Sequence, residues 1–428
     1  MPHTSSYYAA TANTKTVFPQ LTSDITADVA IIGGGFTGVA TALELAERGL
    51  SVVLCEANQI GWGATGRNGG QITGSLSGDK AMQREFRRTL GDRAADFVWD
   101  LRWRGHDIIR KRIAKYNIDC DLRFGQMQTA LTKGQLAELE DIYATGCRRG
   151  MADDLTMISG ANMPDYLETD LYIGGLLNRK NMHLHSLNFC LGQAEALVSL
   201  GGKVFENSEV INIEHGANPT VRTKHGSVRA DKVMLAGNAY HLLEQPKLRG
   251  KLFPASLANM ATAPLSQEDA ASINPHNLAV YDGRFVLDYF RLTADNRVMF
   301  GGGTNYSGRE SKDVARELRP ALERTFPRLK GVEIDYSWSG MDGIVLNRIP
   351  QVGRIGANVF YVQGYSGHGI ALSHILAEVT AHCITGDSSE FEIFENCRHW
   401  NLPVGRTVGS LMIAVGMAYY ALRDKIER

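Results

Sequence analysis

The sequence predicts an α/β chain: a doubly wound, mostly parallel sheet interleaved with a second, mixed and mostly antiparallel α+β domain. Three stretches predict it. Residues 28–56 read as strand, glycine turn, helix and strand; residues 187–237 read as helix, short strands and a returning strand that stops at glycine; residues 358–370 carry a second glycine turn between an apolar run and a helix.

In DVAIIGGGFTGVATALELAERGLSVVLCE, Val29 to Ile32 is a short apolar run, as expected of a strand buried on both faces of a parallel sheet. Gly33, Gly35 and Gly38 then fit G-x-G-x-x-G. The first glycine permits the tight turn, the second lets backbone approach a pyrophosphate, and the third lets helix pack on strand. The helix N-terminus offers free N–H groups to phosphate. Val39, Ala42, Leu43 and Ala46 give that helix one apolar face, and Gly49 is placed to cap it. The strand Ser51 to Cys55 ends at Glu56, 23 positions after Gly33, close to the roughly 20 at which an acid reaches a ribose hydroxyl. Such agreement identifies a dinucleotide site. Glutamate disfavours a 2′-phosphate, so the ligand is FAD or NAD rather than NADP.

The formal charge of −1 leaves no basic surplus for nucleic acid or anionic lipid, so a small-molecule ligand is expected. Six scattered cysteines form no C-x-x-C pair and no zinc spacing, which suits a reducing cytoplasm and excludes a metal centre. The N-terminal segment lacks the apolar core of a secretory signal and reads as an arm draped over the fold. Residues 407–422 are apolar but fall short of the roughly 20 a span needs, so a docked tail helix is expected, with membrane contact at most peripheral.

QIGWGATGRNGGQITG follows Glu56 closely. Gly69 and Gly70 would let backbone sit against a flat ring, while Thr65 and Arg67 would add donors to a pyrophosphate. From Lys80 to about Gly160 the composition is that of charged, amphipathic helix with solvated faces. Leu187, Leu191, Ala194 and Val198 make an apolar stripe ended by Gly201 and Gly202. Short strands follow at Lys203 to Phe205, Glu209 to Ile213, Val221 to Thr223 and Val228 to Arg229, then a buried strand from Val233 to Ala236 ending at Gly237. That order completes the FAD domain of a two-dinucleotide-fold flavoprotein, whereas an NAD dehydrogenase would continue to alternate strand and helix. Leu257 to Pro264, Tyr281 to Leu292 and Arg297 to Gly303 read as strands of the second sheet. Its aromatics, Tyr281, Tyr289, Tyr306, Tyr336 and Trp338, are core or pocket residues. Asn358 to Gln363 runs into GYSGHG, whose helix N-terminus can support negative charge on a reduced flavin, with His368 beside it.

The GGGFTG turn, the GATGRNGGQ loop, the Gly237 strand end, WSGMDGIVLNRIPQVGR and GYSGHG together resemble the FAD-dependent amine and amino-acid oxidoreductases, the superfamily of D-amino acid oxidase, glycine oxidase and sarcosine oxidase. Within it, HTSSYYAAT, LDYFRLTADNRVMFGGG, FPRLKGVEIDYSW and GMAYYALRDK are most similar to the branch that oxidises γ-glutamylated diamines in polyamine catabolism. The resemblance implies an FAD-binding domain of residues 1–80, 183–245 and 335–400, a substrate domain of 81–182 and 246–334, and a tail helix over 401–428. It implies oxidation of a terminal primary amine such as that of γ-glutamylputrescine to aldehyde and ammonia, by hydride transfer to flavin N5 and hydrolysis of the imine. Gly33, Gly35, Gly38 and Glu56 would hold the adenosine half, with Val210 near adenine. Thr65, Arg67, Asn68, Gly69, Gly70 and Gln71 would lie along pyrophosphate and flavin, and Arg348, Gly364, Gly367, His368 and Gly369 would border the isoalloxazine.

Sarcosine oxidases carry a flavin-linking cysteine in the segment matching Trp338 to Gly353; here it is absent, so FAD is expected to be non-covalent. Those enzymes also place a lysine beside the flavin in the region matching Arg297 to Tyr306; no lysine occurs there, which sets dehydrogenase against the favoured oxidase behaviour, with oxygen or another acceptor taking the electrons.

Amine oxidation asks for orientation and an apolar wall that favours the neutral amine. Tyr289 and Trp338, with His368, are the candidate catalytic residues, and Tyr281 lies with them. Arg291 or Arg284 would take a substrate carboxylate. The alternatives are another amine or amino acid, such as pipecolate or sarcosine, on the same fold; a flavin-binding paralogue without turnover; and an NAD-dependent dehydrogenase.

Overall fold

The computed structural model describes residues 1–401 apart from Lys15, Arg249 and Phe285; the expected tail helix lies, but for Asn401, outside the described residues. The strands in chain order begin with β1 (Asp24–Ile32), β2 (Val52–Cys55), β3 (Gln71–Ile72), β4 (Arg123–Ala130), β5 (Leu155–Ser159) and β6 (Gly174–His183). Next come β7 (Lys203–Phe205), β8 (Val210–Glu214), β9 (Thr220–Thr223), β10 (Ser227–Leu235), β11 (Phe253–Thr262) and β12 (Ala279–Asp282). The last are β13 (Tyr289–Leu292), β14 (Val298–Asn305), β15 (Ile334–Ile344), β16 (Gln351–Ile355) and β17 (Val359–Gln363).

The first sheet runs β16-β17-β10-β1-β2-β7, with β9 and β8 continuing from β10. β1 lies parallel to β2 and β10, and β10 parallel to β17. As the apolar run requires, the last four residues of β1 are buried while its polar first half reaches the surface. The second sheet runs β15-β11-β14-β13-β12-β4-β6-β3, with β5 beside β6, and is antiparallel except where β12 meets β4.

The helices Phe36–Glu47, Ser186–Ser199 and Gly369–Ile384 share one core over the first sheet. Gly49, at φ +84°, turns the chain out of the Phe36–Glu47 helix, and the Leu50 amide bonds back to the Leu45 carbonyl. The N-terminal arm is draped as expected: Ser6 accepts the Ala9 N–H at 3.2 Å to start a short helix, and Tyr8 is fully buried.

Several boundaries differ from the sequence reading. The helices Asp79–Leu90 and Ala94–Tyr116, expected in the substrate domain, pack into the first core through Met82, Phe86, Val98 and Ile109. Few apolar residues suffice, because burying each of Met82 and Phe86 contributes about 2 kcal/mol. β15 and β3, expected in the FAD domain, are strands of the second sheet, so the chain crosses between sheets at both places. Within 80–160, β4 and β5 interrupt the expected helix. Tyr281 to Leu292 is a hairpin of β12 and β13 rather than one strand, and the two runs expected at 228–229 and 233–236 form one continuous strand, β10, that ends at Leu235. Val198 is exposed, since the Ser186–Ser199 helix outruns the surface that its other apolar residues cover.

Candidate active site

β1 delivers the chain to Gly33 at φ +107°, where an added Cβ would lie 3.0 Å from the carbonyl group of Ala236, the residue after β10. A Cβ on Gly38 would lie 1.8 Å from the Gly33 oxygen, so this turn closes on its helix only with glycine. The Thr65 hydroxyl accepts the Phe36 N–H at 3.0 Å beside that helix N-terminus. Glu56 accepts the Gly34 N–H at 2.6 Å and the Asn58 N–H at 2.8 Å. Burial raises its pKa, against the pull of those two amides.

This turn opens into a continuous cavity of about 1190 Å³, larger than the roughly 300–1,000 Å³ of sites for drug-sized ligands. One end is lined by Glu56, Asn58 and Val210; the wall continues past Gly33, Gly35, Thr65, Arg67 to Gln71 and Gly237; the other end holds Tyr281, Tyr289, Tyr306, Arg348, Gly367, His368 and Gly369. The residues fit FAD: a side-chain-free turn at a helix N-terminus suits a pyrophosphate, an acid at the end of β2 suits a ribose, and the cavity extends well past both.

The glycine loop is held from within. The Arg67 guanidinium stacks 4.3 Å above the Trp62 ring and donates to the carbonyls of Trp62 at 2.9 Å and Ser339 at 3.3 Å. Asn68 donates to the Ala64 and Thr65 carbonyls and accepts the Gly70 N–H at 2.7 Å. Gly69 leaves room for the Tyr289 ring, which would be 2.4 Å from a Cβ there. Gln71 donates to the Val280 and Phe290 carbonyls and accepts from Gln126 at 2.7 Å.

At the far end the Tyr289 hydroxyl donates to Asn259 Oδ1 and the Tyr281 hydroxyl to Gln128 Oε1, both at 3.0 Å. Burial pushes Tyr281 up to about 12 and raises Tyr289 further, so both stay protonated. His368 starts the Gly369–Ile384 helix, with Nε2 3.3 Å from the Ser75 hydroxyl. Burial lowers it to about 4, with the Arg348 charge adding to the effect, so its ring is neutral at pH 7.

Five expected site residues sit elsewhere or are already engaged. Trp338 is buried off the cavity wall, packed edge-on against Tyr8 and donating to the Arg67 carbonyl; its indole carries the loop instead of lining the pocket. Arg291 is fully buried, spending its donors on the carbonyls of Gly69, Leu184 and Leu292 and on the Tyr8 hydroxyl, so no substrate carboxylate reaches it. Arg284 lines the cavity but is paired to both Asp282 and Asp288, which neutralise it. Gly38 and Gly364 stand behind the wall. Gly364, at φ +84°, leaves room for Val345, whose side chain would be 2.2 Å from a Cβ.

Sequence reasoning passed over Gln126, hidden in a segment read as helix, and the pairing of Thr37 with Tyr365, whose hydroxyls meet at 2.5 Å across the cavity wall. It also passed over Asp342, a buried carboxylate on the wall that was visible only as one letter of WSGMDG.

Residues 28–383 match the family model described as FAD dependent oxidoreductase. The chain is 42% identical to gamma-glutamylputrescine oxidoreductase of Escherichia coli strain K12 over 99% of both chains, and 35% identical to the probable oxidoreductase OrdL of Haemophilus influenzae over 99% of this chain and 98% of that one. Among solved structures it is similar to glycine oxidase from Geobacillus kaustophilus, with a TM-score of 0.71 at 20% identity over 88% of this chain and 100% of the other.

Proposed function

The chain belongs to the FAD-dependent oxidoreductase family and is an FAD-dependent enzyme, and on that premise we propose that it oxidises the terminal primary amine of a γ-glutamylated diamine, γ-glutamylputrescine, to an aldehyde and ammonia. The observation that carries this reading is the 42% identity to the E. coli enzyme of that name along both chains. Such a span covers both sheets and every element of the cavity wall. The cavity supports it, since it runs on past the glycine turn and Glu56 to an end lined by Tyr281, Tyr289 and Tyr306.

When bound, FAD supplies the electron sink for amine oxidation. The chain's own residues do the rest. The Gly33–Gly35 turn at the helix N-terminus would hold the pyrophosphate, with Thr65 kept beside it by the Phe36 N–H; Glu56 would hold the ribose and Val210 would border the adenine. Gly69 and Gly70, whose open sides are taken up by Tyr289 and by the Leu184 carbonyl, would border the ring system through backbone alone, and the Gly369–Ile384 helix N-terminus would offer positive potential to it. Tyr281 and Tyr289, neutral and hydrogen-bonded in place, form a wall that orients the alkyl chain and excludes water. Neutral His368 is poised beside it. Water then hydrolyses the imine, giving the aldehyde and ammonia. We take oxygen as the acceptor, FAD as non-covalently held, and the cytoplasm as the setting; the six free cysteines support a reducing compartment.

The test is anaerobic addition of γ-glutamylputrescine to the purified flavoprotein. Rapid loss of visible flavin absorbance, with peroxide on admitting air, is expected. A flavin that stays yellow with γ-glutamylputrescine but bleaches with sarcosine or pipecolate overturns the substrate assignment. Bleaching followed by slow recovery in air makes the enzyme a dehydrogenase.

A further inference from the structure

Asp342 lies on β15 opposite Ala255 of β11, two residues before the strand ends and the chain returns to the first sheet. It therefore stands at the junction of the two sheets. The other acids on the cavity wall, Glu56 and Glu209, lie at the end assigned to adenosine. Asp342 is 8% exposed. Its Oδ1 accepts the Gly343 N–H at 2.8 Å, while Oδ2 has no hydrogen-bond partner, and among the described residues no cation is within ion-pair distance of it. Burial lifts its pKa to about 6, against the Gly343 and Gly367 amides and the Arg348 charge. A buried carboxylate oxygen without a partner costs free energy unless something else satisfies it.

We propose that Asp342 is the residue that receives the cationic amino group of the amine substrate and takes one proton from it. This rests on the amine-oxidising reading given above. A primary alkylamine enters protonated, and oxidation needs its nitrogen lone pair. In the transfer, one ammonium N–H bond breaks and one Asp342 Oδ2–H bond forms, leaving the electron pair on nitrogen; nothing is oxidised or reduced in this step. Desolvation drives it, because the same low dielectric that raises the carboxylic acid's pKa lowers that of the ammonium. The groups facing Asp342 are Arg348 on the following loop, the Gly367 amide of the glycine turn, and the phenols of Tyr365 and Tyr240, which burial raises and the Asp342 charge raises a little further. The placement also disfavours a substrate carrying a carboxylate on the carbon to be oxidised, since two anions would be brought together.

The test uses flavoprotein reduced with dithionite, so that ligands bind without turnover, and calorimetric titration. The ligands are γ-glutamylputrescine and γ-glutamyl-n-butylamide, which ends in methyl instead of ammonium. Asp342→Asn is expected to retain full flavin, to lose about 100-fold in affinity for the cation, and to bind the uncharged analogue within about twofold. Retention of cation affinity within about threefold overturns the proposal. If the variant does not load flavin, the wild type decides: cation affinity should fall about tenfold per pH unit below about 6 while that of the analogue holds, and a flat profile overturns the proposal. If the wild type ignores both γ-glutamyl ligands, the substrate reading fails, and n-hexylamine against n-hexanol decides the role of Asp342 by the same criteria.

Discussion

The indole N–H of Trp338 donates to the carbonyl of Arg67 at 3.0 Å, and Asn259 Nδ2 donates to the same oxygen at 3.0 Å. Two strands of the second sheet thereby hold the glycine loop that flanks the cofactor cavity. Trp338→Phe keeps most of the ring and removes one donor, so it is expected to cost about 1 kcal/mol. Because the loop lines the cavity proposed for FAD, the loss should be read as FAD release several degrees earlier in a flavin-fluorescence melt. An unchanged release temperature would mean that Asn259 alone suffices.

Two glycines separate close approach from backbone conformation. A Cβ at Gly38 meets the Gly33 oxygen at 1.8 Å, whereas at Gly49, φ +84°, nothing lies within 4 Å. Gly38→Ala is expected to abolish flavin loading, measured as the ratio of visible to ultraviolet absorbance. Gly49→Ala should load normally and lose about 1 kcal/mol in denaturant unfolding.

Burial of Arg291 makes it a structural residue. Arg291→Lys keeps the charge but cannot reach four acceptors, leaving buried carbonyls unpaired at a cost of about 3 kcal/mol. The expected result is a clear fall in melting temperature with kcat/KM per bound flavin within about twofold. A raised KM with unchanged stability would restore the carboxylate-binding role.

The fold should weaken in acid. Burial lowers His106 and His368 to about 4 and His183, His185 and His374 to about 3. Between the unfolded value near 6.5 and those folded values the unfolded chain binds more protons, so stability falls as pH drops below about 6.5, by up to about 1.4 kcal/mol per unit for each histidine. Asp79 and Asp342, both raised to about 6 by burial, act oppositely, as do Glu56, Glu206 and Asp288, which burial also raises, because there the folded state holds the extra proton. With His3 and His399, which burial also lowers to about 4, seven histidines outnumber these five acids, and thermal melts at pH 7 and pH 5 should show the lower midpoint at pH 5.

What the sequence determined by itself is the local part of this protein. The β1 run, the Gly33–Gly38 spacing and Glu56 are legible because periodicity, turn geometry and an acid at a fixed offset are short-range requirements that few residues can meet. The GYSGHG turn and Gly237 were legible for the same reason. Tertiary structure decided which polar side chains face the cavity. Trp338 and Arg291 have the composition of a substrate wall, yet β15 and β13 turn them into the interior, where their donors find carbonyls from segments hundreds of residues away. Asp342 has the composition of a surface residue, yet lies buried with one oxygen unpartnered. Strand register and sheet order set these outcomes. A strand alternates its faces residue by residue, so which face meets the cofactor follows from the element packed against it and not from the residues of the strand.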